Sequence, residues 1–235
     1  MLAKDQMGRE LRLPKTLTRI VSLVPSQTEL LVDLGLEDNI IGVTKFCVHP
    51  KHLRMSKKVV GGTKDISLEK IQSLNPDIIL CNKEENTKEI VNELEKHFPV
   101  HVSDIETIDD AQTLILRYGK LFDCLMPASR ISSKIKKEAE SFSIYIKDKP
   151  TKRVAYFIWK NPWMSVGNDT FIHHLLEKNN YTNVFETQKR YPEISEKKLR
   201  DVNPDLVLLS SEPFPFKENH IKEILAILPS AEVKL

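Results

Sequence analysis

Glycine is scarce in this chain, with seven in 235 residues. A backbone that cradles nucleotide phosphates needs several glycines for close approach, so nucleotide binding is not expected. No Gly-rich phosphate loop, HExxH, GxSxG or paired-acid motif occurs either. Cysteine is nearly absent too. Cys47, Cys81 and Cys124 are odd in number, far apart and without CxxC spacing, which excludes a disulfide framework or a zinc ribbon and leaves free thiols. No apolar run approaches the roughly 20 residues of a membrane span. The first eight residues carry no apolar h-region and no cleavage signature, so either a cytosolic protein or an exported one lacking its leader is expected. Charge of one sign is missing as well. With 35 basic against 33 acidic residues and a net charge of +2, there is no field to attract nucleic acid. The Lys134-Ile135-Lys136-Lys137 run alternates with Glu138 and Glu140, which reads as a solvated helix face. The lack of a reaction centre favours binding over catalysis.

What is present is a repeat. Residues 66–80 (ISLEKIQSLNPDIIL) have a near-copy at 194–208 (ISEKKLRDVNPDLVL), 128 positions later. In each copy a Ser-initiated amphipathic helix ends at Asn-Pro-Asp and passes into an apolar run that reads as a buried parallel strand. Each half also opens on a strand, 19–24 and 153–159. After the first, Pro25 breaks the strand and Ser26-Gln27-Thr28-Glu29 is expected to form a capping box, with Gly35 ending that helix. After the second, a longer loop through Pro162, Trp163 and Gly167 leads to a helix from Phe171. Two lobes follow, 13–125 and 150–235, each a parallel sheet covered by helices, with a ligand cleft implied between them. Residues 126–149 carry Ile131, Ile135, Ala139, Phe142 and Ile146 at helical spacing and no glycine, which predicts one long connecting helix. The second half ends at Leu235, one element short of the first.

In such sheets ligands collect at the carboxyl ends of strands, which here are Pro25-Ser26, 44–50, 82–85, 159–166 and 210–216. In Lys45-Phe46-Cys47-Val48-His49, a thiol and an imidazole two residues apart fall on one side of an extended chain, as a metal or metal-centred cofactor requires; simple packing in a loop is the preferred reading of the two. Adjacent helical residues diverge by about a hundred degrees, so His173-His174 do not chelate together. Both tryptophans, Trp159 and Trp163, lie in one loop and suit a large planar ligand. The alternative reading gives a tryptophan to the lobe core, with Trp159 the better candidate. Lys83, Glu84 and Glu85 in the first repeat match Glu212 and Phe214 in the second, and Lys83 at a helix N-terminus suits an anionic group. Tyr191 is a further polar contact.

The string RIVSLVPSQTEL at 19–30, the pair Gly61-Gly62 and residues 66–80 resemble the class III periplasmic binding proteins, also called helical-backbone metal receptors, and most closely their vitamin B12-binding branch. The resemblance covers the chain from about residue 13 onward. It implies an α/β fold of two lobes joined by a rigid helix, a monomer, and a role as substrate-binding protein of an ABC importer. By the same resemblance the ligand is a corrinoid such as cobalamin, or haem or a ferric siderophore, no resident cofactor is needed, and the location is periplasmic or extracytoplasmic. On one wall would stand Phe46, Cys47 and His49, and on the other Trp159, Trp163 and Phe214, with Lys83 and Tyr191 as polar contacts. The resemblance also implies that a glutamate on each lobe docks the permease. Glu69 matches the first, whereas Lys197 holds the second position with Glu196 one residue earlier. A chelatase-like enzyme using Cys47, His49 and Glu84 and a structural scaffold are the other classes considered.

Overall fold

A computed structural model describes residues 1–235. The chain opens with an antiparallel hairpin, β1 (Leu2–Lys4) and β2 (Glu10–Arg12). The first lobe then runs β3 (Ile20–Ser22), α1 (Pro25–Asp33), β4 (Ile40–Val43), α2 (Leu53–Ser56), β5 (Lys58–Val59), α3 (Leu68–Leu74), β6 (Ile78–Asn82), α4 (Lys88–Glu95), β7 (Val100–Ser103) and α5 (Ile108–Leu121). After α6 (Leu125–Ile146) come β8 (Lys152–Trp159), β9 (Met164–Ser165), α7 (Phe171–Lys178), β10 (Tyr181–Asn183), α8 (Glu196–Val202), β11 (Leu206–Leu209), α9 (Glu218–Ile227) and β12 (Glu232–Lys234).

The first sheet has the order β5-β4-β3-β6-β7 and is parallel throughout. The second has the parallel order β10-β8-β11-β12, with β9 added antiparallel to β8. Two compact units result, residues 1–105 with 109–136 and residues 106–108 with 137–235. Each sheet has apolar residues buried on both faces. Ile20, Ile78 and Leu80 face one core of the first unit, and Val21, Ile79 and Cys81 the other. Ala155, Phe157, Val207 and Leu209 do the same for one face of the second sheet, and Val154 and Leu206 for its other face. The chain is thus α/β, two parallel-sheet lobes joined by a helix.

The repeat folds in two matching copies. Ser67 and Ser195 cap α3 and α8 by accepting from the backbone N–H of Lys70 and Lys198. Asn75 and Asn203 end these helices in the left-handed region, at φ 42° and 40°, which Asn tolerates better than most side chains. The following prolines are buried, and Asp77 and Asp205 then bind the start of the neighbouring strand. Asp77 Oδ2 accepts from the N–H of Arg19 at 3.0 Å, and Asp205 Oδ2 from that of Arg153 at 2.8 Å. Those two arginines reach back to the helix-end carbonyls, Arg19 to Asn75 and Leu74, Arg153 to Asn203 and Val202. Asn-Pro-Asp is therefore a clasp: it stops a helix, turns the chain and sets the register of the next strand.

Three expectations are corrected. Ser26 to Glu29 form no capping box, because Pro25 itself occupies the first helical turn and Val24 is the N-cap, with no side-chain cap bond. A fixed proline φ suits that position, so the helix starts earlier than the Ser-x-x-Glu pattern suggests. Thr28 instead turns inward, donating to Ser22 Oγ at 2.8 Å. Gly35 does follow the helix end with φ +81°, its N–H bound to the carbonyl of Val32. The N-terminal hairpin lies ahead of the segment in which strands were expected. Its buried Asp5 accepts from the N–H of Val102 at 3.1 Å and pairs with Arg9 at 2.7 Å, so it covers the β7 edge. In α6, Ile131 and Ile135 pack on the first core, whereas Phe142 farther along the same stripe is exposed.

Candidate functional site

In the first lobe, the loops that leave the carboxyl ends of the strands are tied together by buried amides and hydroxyls. Asn82, last in β6, has its side-chain oxygen bound by the N–H groups of Glu84 (2.8 Å) and Glu85 (3.2 Å), while its amide donates to Ser103 Oγ at 3.0 Å. Asn86 Oδ1 accepts from the Asn82 N–H at 2.9 Å, and its amide donates to the Thr63 carbonyl at 2.8 Å. Buried Gln27 donates to Ser103 Oγ at 2.6 Å and accepts from the Tyr118 hydroxyl at 2.6 Å. Loops after β5, β6 and β7 and the start of α1 thus share one network, whose cost if half satisfied keeps it rigid. None of Gln27, Asn82, Asn86 or Ser103 stood out in the sequence as a site residue. The available signal is polar side chains placed at the ends of apolar strands.

Pro25 and Ser26 lie in the first turn of α1. Lys83 is half-buried and its ammonium is held by Asp104 at 2.8 Å, so its charge already has a protein partner. Glu84 is half-buried, and Glu85 is exposed. Phe46 is 50 % exposed, with Lys45 Nζ 5.3 Å from its ring centroid. Gly62 lies directly under that pair, since a Cβ there would meet Phe46 at 3.1 Å and Lys45 at 3.2 Å. Gly61 is required by its φ of +132°, where a Cβ would strike the Asp65 carbonyl.

Cys47 and His49 do not form a shared metal site. The chain turns at 44–47, with the Cys47 N–H bound to the Thr44 carbonyl at 3.1 Å, so the alternation of an extended strand does not apply. Cys47 is fully buried in the lobe core, its sulfur 3.2 Å from Thr28 Oγ1 and 3.3 Å from Thr44 Oγ1. His49 is exposed on the surface beside Lys51 and Arg54. Nowhere do three or more His, Cys, Asp or Glu side chains group as metal ligands. All three cysteines are free, and burial pushes the Cys81 thiol up to about 12.

The second lobe gathers an aromatic cluster at the carboxyl ends of β8 and β11. Trp163, half-buried, stacks on Phe216 (5.9 Å, 4°) and meets Phe157 edge-on at 5.3 Å, so it is this tryptophan that closes the lobe core. Trp159 is 39 % exposed and contacts Phe214 edge-on at 5.6 Å. The core assignment favoured from sequence is reversed, because β8 runs on to Trp159 at its solvent end while the loop folds Trp163 back. His220 meets both Phe214 and Phe216 edge-on at 5.4 Å. Lys160 sits 5.5 Å above the Trp163 ring and is paired with Glu223. Ser210, buried at the end of β11, has a hydroxyl with no hydrogen bond in the chain. Glu212 is exposed in the same loop. Tyr191 lies apart from this cluster, half-buried over the other face of the sheet with Arg190 5.5 Å above its ring. His173 is engaged within its own lobe, its Nδ1 3.2 Å from the Asn183 amide and its Nε2 3.5 Å from Glu177.

Known proteins resemble this chain in sequence and in fold. The uncharacterized ABC transporter substrate-binding lipoprotein YvrC of Bacillus subtilis is 26% identical over 215 residues, 87% of this chain and 67% of that protein. The vitamin B12-binding protein of Vibrio parahaemolyticus is 24% identical over 196 residues, 82% of this chain and 70% of that one. The crystal structure of the periplasmic haem-binding protein HutB of Vibrio cholerae superposes with a TM-score of 0.77 at 18% identity, covering 91% of this chain and 85% of that one. A family description, periplasmic binding protein, fits residues 20–226. A chain with these two lobes and this match belongs to the periplasmic binding protein family, whose members bind and deliver rather than catalyse.

Proposed function

We propose that the protein is the substrate-binding component of an ABC importer and that its ligand is a metal-centred cofactor of the corrinoid class. The observation that carries the ligand class is the half-exposed Trp159–Phe214 pair, backed by Trp163, Phe216 and His220. An aromatic surface of this size offers a large planar or amphipathic molecule apolar contact with little conformational entropy to lose. Within the first lobe, taken by itself, exposed Phe46 with Lys45 and the residues Ser26, Lys83 and Glu84 lie at the carboxyl ends of the strands, near the Asn82 network. Sequence relatives described as vitamin B12-binding proteins support the corrinoid reading. Extracytoplasmic location and a monomeric state accompany it.

Cyanocobalamin titration, followed by tryptophan fluorescence and calorimetry, tests the reading. Micromolar or tighter binding with quenching is expected. Absence of binding at micromolar cobalamin sinks the corrinoid assignment, and a Soret band developing on haem addition would replace it with haem.

Docking to a permease involves Glu69, exposed in the first turn of α3. The structurally matching position of α8 is Lys197, and Glu196 before it is paired with Arg200 at 2.8 Å. Glu69 and Glu196 are therefore unequal partners, Glu69 being the stronger contact. With the reconstituted permease, Glu69→Lys should weaken docking at least tenfold. Unchanged affinity removes Glu69 from the interface.

A further inference from the structure

Residues 40–64 contain six Lys or Arg and two His but no Asp or Glu, in a chain whose charges otherwise nearly balance. The structure gathers part of this excess. His49, Lys51 and Arg54 line one surface depression of about 520 Å³, together with Val48, Met55 and Val59. No carboxylate lines it. None of the three basic side chains has a carboxylate partner or a side-chain hydrogen bond; the nearby acid Glu37 is taken by His52 at 2.8 Å. Elsewhere in the same lobe exposed cations do find acids, as Lys4 does Glu10 and Lys96 does Glu93. Cys47 and Leu53 are fully buried, and Lys51, in the turn before α2, and Arg54, within α2, lie three residues apart beside them. Met55, 84 % exposed, and Val48 provide an apolar side to the same hollow.

We infer that this depression is a binding site for a small organic polyanion, a di- or tricarboxylate or a phosphate ester. Unpaired cations converging on one concave, partly apolar surface bind such a molecule by charge-assisted hydrogen bonds, with Arg54 able to take a carboxylate or phosphate bidentately. A volume of this size is ample for it. The site lies wholly within the first lobe and does not require the corrinoid reading.

The test is calorimetric titration of the full chain with citrate and with pyrophosphate at low ionic strength, repeated at 0.5 M NaCl. Saturable one-site binding is expected, weakened at least tenfold by Lys51→Ala/Arg54→Ala and strongly reduced by salt. No saturation by either anion at millimolar concentration overturns the proposal. So does binding that the double variant leaves unchanged. Binding confined to vesicles of anionic phospholipid, with neither free anion taken up, also overturns it and reassigns the patch to a membrane surface. Cyanocobalamin titrated into the same proteins separates the two readings, since anion binding without cobalamin binding removes only the corrinoid assignment.

Discussion

At the residue scale, side chains of one type divide between support and contact. Trp163 is packed against Phe157 and Phe216, whereas Trp159 stands half in solvent on Phe214. Trp163→Ala should therefore cost about 2–4 kcal/mol of stability. Trp159→Ala should leave the melting temperature within a few degrees and weaken ligand binding at least tenfold. Thermal denaturation and titration of both variants check the division; equal loss of stability in the two would overturn it. His101 offers a second case. Its ring is buried against Tyr118 at 5.3 Å, Nδ1 has no partner, and burial lowers its pKa from 6.5 to about 4. The fold holds the neutral form, so this contribution is intact above pH 6.5 and is lost as pH falls through 4, about 3 kcal/mol in all. Urea unfolding at pH 7 and pH 4 should show that loss, and His101→Leu should flatten it. A variant as acid-sensitive as the parent removes His101 as the cause. Neither assignment was legible in sequence. Two tryptophans four residues apart look alike until strand β8 is seen to end at one of them, and a histidine inside a strand carries no mark of its burial.

At the element scale the helix stop and turn at Asn-Pro-Asp were legible, whereas the bonds from Asp77 and Asp205 to Arg19 and Arg153 were not. The first two residues meet demands of the turn itself, a side chain tolerant of positive φ and a residue that cannot continue a helix, whereas the aspartate accepts from a backbone N–H more than fifty residues earlier in the chain. Asn75→Ala and Asn203→Ala should each cost about 1 kcal/mol, while Asn→Gly at either position should be close to neutral, as denaturant midpoints will show. Equal costs for Ala and Gly would count against the left-handed cap as the reason for Asn. By contrast, the Cys47–His49 spacing misled because it assumed an extended chain where hydrogen bonds close a turn. The capping box misled because Pro25 offered a competing start.

At the scale of the whole molecule, the duplication gives each unit its own sheet and its own cores. Both tryptophans lie in the second unit. Tryptophan fluorescence thus follows that unit alone, whereas far-ultraviolet circular dichroism follows both. Phe157→Ala should lower the fluorescence midpoint in urea by more than the dichroism midpoint, at a cost of about 3–5 kcal/mol to its own lobe. Coincident curves would mean that the units unfold as one. From the sequence by itself came the α/β class, the two-fold repeat, the long helix and the free thiols. Each rests on periodicity, on a local turn or on a residue that is missing, and needs no knowledge of distant contacts. Only the tertiary structure decided that Cys47 is core, that Trp163 rather than Trp159 is support, that Lys83 is held by Asp104, and that His49, Lys51 and Arg54 line one hollow. Those facts depend on partners tens of residues away, or on which side of a turn a side chain leaves, and no local pattern encodes either.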